Sequence, residues 1–299
     1  MELRVLRYFL AVAREQSISG AANALHMTQP ALSRQLMDLE QELGVKLMIR
    51  GSRGKPVELT EAGNRLRMRA EEMITLADRT VEELSDQASE VSGTVYIGGG
   101  ETEGMRLLAN AAARLHARYP HIRFHLYSGI AEDVTERLDQ GLLDFGVLVG
   151  ESALQKYDYL PLPASDVWGV LVRSDHPLAT KMRVHAKDLW SEPLIVSRQA
   201  LQNNELTGWL GKKAEELNLI AEYNLLHNAV YFVEAGMGSA LCIDGLANTG
   251  SGELRFLPLD PPLRGQLRLV WKKHQIFSKA AKLFLEELQA ELDSEIEKT

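Results

Sequence analysis

Ser17 to Thr60 reads SISGAANALHMTQPALSRQLMDLEQELGVKLMIRGSRGKPVELT, and this stretch decides the fold of the first part of the chain. Ser17 or Ser19 can cap a helix over Gly20–Leu25, where Ala21, Ala22 and Ala24 permit close crossing by a neighbour. Helix formers fail at His26-Met27, and Thr28 is the next N-cap. Pro30 then falls in the first turn, where its missing N–H costs little. Leu32, Leu36, Leu39 and Leu43 recur at steps of four, three and four, which predicts an apolar stripe, and Gly44 ends it. Gln29, Pro30, Ser33, Arg34 and Met37 lie off that stripe or on its edge. Amide, hydroxyl and guanidinium groups placed there suit base edges and phosphates. A basic, glycine-punctuated hairpin carrying Arg50 and Arg53 follows. Two short helices, a tight turn and such a hairpin have the shape of a winged helix-turn-helix.

The segment closely resembles the DNA-binding domain of the LysR-type transcriptional regulators. The matching residues are Ala21-Ala22, Leu25, Thr28 to Gln35, Leu39-Glu40, Leu43 to Leu47, Arg50 and Leu59 to Gly63. Met48 departs from the family's usual Phe, one apolar filler for another. The resemblance implies that Thr28, Gln29, Pro30, Ser33, Arg34 and Met37 approach DNA at the major groove. It places Arg50 and Arg53 on a wing that contacts backbone and minor groove. The first 60 residues carry eight Lys/Arg and six Asp/Glu, while the whole chain has a net charge of −8. Positive charge is therefore concentrated in the head, and the remainder would repel phosphate.

Thr60 can cap a long helix to about Gln87, in which Leu66, Ala70, Met73, Ala77, Val81, Leu84 and Ala88 follow a near-heptad spacing. That pattern fits either a helix packed on its own domain or a coiled-coil seam; the resemblance implies the second, because the family's linker helices pair two chains. SEVSG over Ser89–Gly93 breaks the helix.

A chain of 299 residues, 45% apolar and 25% charged, suits two or three ordinary globular domains. With no long apolar run and no leader-like start, the expected location is the cytoplasm. From Thr94 onward, short β-like runs alternate with helical ones, predicting α/β layers with largely parallel sheets. The second series of runs is expected to begin with a strand over Val167–Arg173 and to include a helix over Glu205–Leu217 and a strand near Glu222–Leu226. Crossovers near Tyr159–Ala164 and Leu259–Gly265 are rich in proline. The expected architecture is an α/β multi-domain chain: a winged helix-turn-helix over 1–60, a linker helix over 61–89, and two α/β subdomains. These cover 94–160 with 266–299, and 161–265. The second half, through RLDQGLLDFGVLVG and EAGMGSALC, resembles the family's effector-binding domain, itself similar to periplasmic binding proteins.

Open α/β sheets bind ligands beyond the carboxyl ends of their strands. Gly100, Glu101, Thr102, Ser128, Gly129, Val149, Ser197, Arg198 and His227 stand at such positions, and the resemblance implies a small-molecule effector among them. Glu101 would oppose an anionic ligand unless Arg106 or Arg198 neutralised it. A neutral, amine-bearing or zwitterionic effector is expected. Expected partners are double-stranded DNA, the effector and further copies of the chain, as homodimers and, as is common in the family, homotetramers.

Two other classes compete. Gly98-Gly99-Gly100-Glu101-Thr102-Glu103-Gly104 suggests a dinucleotide loop, but Glu103 stands where the third glycine belongs. No nucleophile–base spacing is recognisable, so neither an enzyme nor a cofactor is expected. A solute-binding protein would fit the second half alone, against the DNA-binding head. Cys242 is the one cysteine, and its setting reads as a buried strand.

Overall fold

The structure is a computed structural model describing residues 1–49, 56–85, 91–150, 154–202 and 205–296; it divides into two compact units, Met1–Gln87 and Ala88–Thr299.

The first unit opens with α1 (Leu3–Glu15), then α2 (Ile18–Ala24), whose cap is Ser17: its Oγ accepts from Gly20 N–H at 3.1 Å. Helix α3 (Gln29–Leu43) ends at Gly44, in the left-handed conformation with φ 68°. Leu32, Leu36 and Leu39 are buried against Phe9, Val12 and Ala21. Leu43 is exposed, contrary to the expected stripe, because the helix ends there and Leu47 takes the next core position. Strands β1 (Met48–Ile49) and β2 (Glu58–Leu59) pair antiparallel as the base of the wing, whose tip, with Arg50 and Arg53, lies outside the described residues.

Thr60 starts α4 (Glu61–Ser85): its hydroxyl accepts from Gly63 N–H at 3.0 Å and donates to Lys46 O at 2.7 Å. Gly63 sits so close to the wing that a Cβ there would lie 1.9 Å from Leu47 O. Helix α4 packs along α1, with Ala70 buried and Arg7 paired to Asp78. The seam residue Val81 is exposed, as are Met68 and Leu76. The side chain of Leu84, and Ala88, lie outside the described residues.

In the second unit, β3 (Gly93–Gly99), α5 (Met105–Arg118), β4 (Ile122–Ser128), α6 (Ala131–Asp139) and β5 (Phe145–Val149) form one lobe, with β4 and β5 parallel to β3. Strand β6 (Tyr157–Arg173) leads to the other lobe: α7 (Ala186–Leu189), β7 (Leu194–Ser197), α8 (Arg198–Gln202), α9 (Glu205–Leu210), β8 (Leu219–Tyr223), α10 (Leu226–Glu234), β9 (Ser239–Ile243) and β10 (Leu254–Pro258). Strand β11 (Arg264–Lys272) returns, and α11 (Lys279–Ile296) packs on β3 and α5 of the first lobe. The sheet order is β4-β3-β5-β11-β6-β9-β7-β8, with β10 also on β6.

The first lobe's core gathers Val95, Ile97, Leu108, Phe145, Leu269 and Phe284, and Phe145 stacks on Phe277 at 5.1 Å. In the second lobe, Val170, Leu194, Val196 and Leu241 face one core while Leu171, Ile195, Ala240 and Cys242 face another. Strands buried on both faces read as unbroken apolar runs, which is why they were legible as strands.

Three expectations change. The crossover and the strand expected at Val167–Arg173 are one continuous strand, β6. The register of β6 against β11 slips between Gln266 and Arg268, opposite the segment holding Pro163; at such a bulge a missing N–H breaks no ladder bond. The helix expected over Glu205–Leu217 stops at Leu210, where Gly211 turns with φ 65°; a short 3-10 turn over Ala214–Glu216 follows. The strand expected at Glu222–Leu226 lies earlier, over Leu219–Tyr223, because Leu226 already begins α10.

Candidate functional site

On the first unit, α3 presents Gln29, Pro30, Arg34 and Met37 exposed, with Thr28 exposed at the N-cap position and Ser33 half-buried. Thr28 makes no side-chain cap, so its hydroxyl does not cover the first turn of α3. The opposite face is the leucine core, which fixes this polar face rigidly. Glu40, 5% exposed, ties the same helix to the wing. Its carboxylate accepts from Leu47 N–H at 2.8 Å, Met48 N–H at 3.3 Å and the Lys46 ammonium at 2.8 Å. Burial alone would raise the Glu40 carboxyl, but these three hydrogen bonds hold it below its ordinary value. The sequence showed Glu40 only as part of a motif; its burial had no periodic signal.

The second unit contains a cavity of about 110 Å³ at the carboxyl ends of the parallel strands of both lobes. Gly100, Glu101, Thr102, Gly129, Val149 and Ser197, all singled out from the sequence, line it. Ser128, Arg198 and His227 do not line it: each is exposed, and His227 lies edge-on to Tyr231. Asp166, Trp168, Gln199, Tyr223 and Asn224 line it and were not anticipated. Both Asp166 and Trp168 lie in β6: Asp166 falls between the expected crossover and the expected strand, and Trp168 within that strand. One signal was available: a lone acid before a long apolar β run.

Asp166 is 1% exposed. Its Oδ1 accepts from the Thr102 hydroxyl at 2.7 Å, and Thr102 in turn accepts from Gly104 N–H at 3.1 Å. The other oxygen, Oδ2, is buried without a hydrogen-bond partner. Burial pushes the Asp166 carboxyl up to about 6, against the pull of the Thr102 hydroxyl and the nearby Glu103 N–H and with slight like-charge repulsion from Glu103.

Two helix N-termini face the cavity, and each is bonded by a side chain of the other lobe. Gln199 Oε1 accepts from Ala131 N–H of α6 at 3.3 Å, and Glu101 accepts from Leu226 N–H of α10. Arg106, one of the two counter-charges expected for Glu101, is paired with Glu103 instead. Among the described residues lining the cavity there is no Lys, Arg or His.

A helix-turn-helix head and a two-lobed α/β cleft define the class: a ligand-responsive DNA-binding regulator. The bacterial regulatory helix-turn-helix, lysR family, matches residues 3–64, and the LysR substrate binding domain matches residues 88–293. The chain belongs to the LysR family of transcriptional regulators, proteins that bind DNA and carry an effector-binding domain. It is 31% identical over 274 residues to the HTH-type transcriptional regulator BenM of Acinetobacter baylyi, covering 88% of this chain and 86% of BenM. It is 27% identical over 289 residues to the uncharacterised regulator YvbU of Bacillus subtilis, covering 96% and 97%. The crystal structure of CbnR, a LysR family transcriptional regulator, superposes with a TM-score of 0.74 at 19% identity, over 97% of this chain and 99% of CbnR; that likeness concerns the fold. These matches do not favour the solute-binding or enzyme readings of the second half. Among the described residues, no helix is long and apolar enough to cross a membrane.

Proposed function

We propose that α3 enters the DNA major groove, with Gln29, Ser33 and Arg34 contacting base edges and phosphates. Thr28, Pro30 and Met37 complete the contact face, and Arg50 and Arg53 reach the backbone or minor groove from the wing. The observation that carries this is the polar, exposed face of α3, fixed by Leu32, Leu36 and Leu39 behind it.

Two copies act together, since one recognition helix buries too little surface to be specific. The exposed Met68, Leu76 and Val81 of α4 supply apolar surface for pairing the linker helices. CbnR has been crystallised as a full-length chain with its target DNA, which supports the same use of the head here. The functional divisions are the DNA-binding head over 1–60, the pairing helix over 61–89, and the two lobes over 94–160 with 266–299, and 161–265. Membership of the family supports reading the assembly as a homotetramer and the location as the cytoplasm.

A small effector occupies the cleft among Gly100, Glu101, Thr102, Gly129, Val149 and Ser197, with Ser128, Arg198 and His227 at its margins. It acts by binding one arrangement of the assembly better than another. The protein works by binding and not as an enzyme. Glu101 is committed to the Leu226 N–H and one Asp166 oxygen to Thr102, and burial pushes the Cys242 thiol up to about 12, away from nucleophilic use.

Selection from a random-sequence duplex pool tests the DNA half. Enrichment of an inverted repeat with half-sites about one helical turn apart, or a multiple of it, is expected. Recovery of no common sequence would contradict it.

A further inference from the structure

An anionic effector would be drawn to a cleft by free N–H groups or by cationic side chains. Here Gln199 already takes the Ala131 N–H at the start of α6, Glu101 takes the Leu226 N–H at the start of α10, and no described lining residue is basic. What the cleft's lining leaves unsatisfied is an acceptor: Asp166, 1% exposed, has its Oδ2 buried with no hydrogen-bond partner. An unpaired buried acceptor costs stability, and a donor supplied by a ligand recovers that cost. Trp168 and Tyr223 line the same space, and the Tyr223 hydroxyl is bound to Leu241 O at 2.7 Å, so Tyr223 offers its ring more than its hydroxyl. Aromatic faces and a carboxylate together form a setting for an ammonium group.

We propose that the effector is a small amine whose protonated nitrogen donates to Asp166 Oδ2, its apolar part lying against Trp168 and Val149. This rests on the cleft being the effector site. Thr102 is then a positioning residue: by taking Oδ1 it leaves Oδ2 as the carboxylate oxygen available to a donor. Asp166 must be ionised to accept from an ammonium. Its charged surroundings are Glu101 and Glu103 on the loop after β3 and Asp244 beyond β9, while Arg106 is held by Glu103 and Arg264 by Ser165. Among these described neighbours the carboxylates outnumber the arginines. An ammonium therefore gains affinity as Asp166 ionises, and loses it on acidification below about pH 6.

The test uses the full-length protein and matched probes: butylamine and benzylamine against butyrate and phenylacetate, measured by calorimetry. Both amines are expected to bind, and the carboxylates not to. Asp166→Asn keeps an oxygen for Thr102 but turns an NH2 group to the ligand, so amine affinity should fall about tenfold or more. A cooperative sensor melting transition, at or above the wild-type temperature, serves as the control that the variant is folded. In the wild type, amine binding should weaken severalfold between about pH 7.5 and about pH 5. Amine binding that is indifferent to both the substitution and pH would overturn the proposal, as would failure of both amines to bind. Ser197→Trp, which fills the cleft, separates the two levels of inference. Carboxylate binding abolished by it overturns the amine while keeping the cleft; binding of any probe that survives it overturns the cleft itself.

Discussion

The Thr102 hydroxyl donates to Asp166 Oδ1 at 2.7 Å and so leaves Oδ2 of the same carboxylate buried and unpartnered. Proteins commonly give up stability where binding requires an unsatisfied group. That trade can be measured directly without any ligand.

Asp166→Asn should stabilise the ligand-free protein near neutral pH. The Asp166 carboxyl is raised from its ordinary 3.8 to about 6, so the folded state holds this proton more tightly than the unfolded chain. Stability from this group is complete below about pH 4 and declines as pH rises to about 6. The full decline is roughly 3 kcal/mol at most. Urea denaturation at about pH 4.5 and about pH 7.5 should show the variant gaining on the wild type at the higher pH. An equal difference at both would mean the carboxylate is not strained by burial.

Glu40 has the opposite sign. Its carboxyl is held below its ordinary value, so its contribution is present above about pH 4.5 and lost as pH falls through the lowered value. Glu40→Ala leaves the Leu47 and Met48 N–H groups buried without their acceptor, at a cost of about 2–4 kcal/mol to the head. Reduced operator binding with an intact sensor melting transition is expected. A head that melts as the wild type does would show the bonds to be dispensable.

Gly63→Ala would place a methyl carbon 1.9 Å from Leu47 O, which is backbone and cannot rotate aside. Loss of the wing's seating, and with it at least about tenfold in operator affinity, is expected in a mobility-shift assay. Wild-type affinity would mean that α4 can shift away from the wing freely.

Ser197→Ala removes a cleft hydroxyl in the second unit. It should leave DNA affinity unchanged and alter only the response to effector. A change in DNA affinity without ligand would contradict the division of roles.

The head was legible because its features are local: Ser17 caps α2, Thr60 caps α4, Gly44 ends α3, and the leucine spacing marks the core. Glu40 was less legible, since its partners are the backbone of the wing and not a side chain at a readable spacing. In the sensor half, strand ends were visible as apolar runs stopping at Gly or Ser, which located six of the cavity's lining residues. Asp166 was missed because two prolines suggested a crossover ending before it, while the bulge lets β6 run straight through. The bonds from Glu101 to Leu226 and from Gln199 to Ala131 span 125 and 68 residues, beyond the reach of any local pattern.

The central claim is that α3 reads a specific DNA site. Footprinting of the purified protein on DNA flanking its own gene, at two stated salt concentrations, tests it most directly, with Gln29→Ala and Arg34→Ala alongside. A discrete protected segment that resists competitor DNA is expected for the wild type, and each variant should lose about 1–3 kcal/mol of specific affinity. Arg34→Ala should also flatten the salt dependence if its guanidinium lies on phosphate. A protected segment bound equally well by Gln29→Ala and Arg34→Ala would contradict the placement of α3 in the groove.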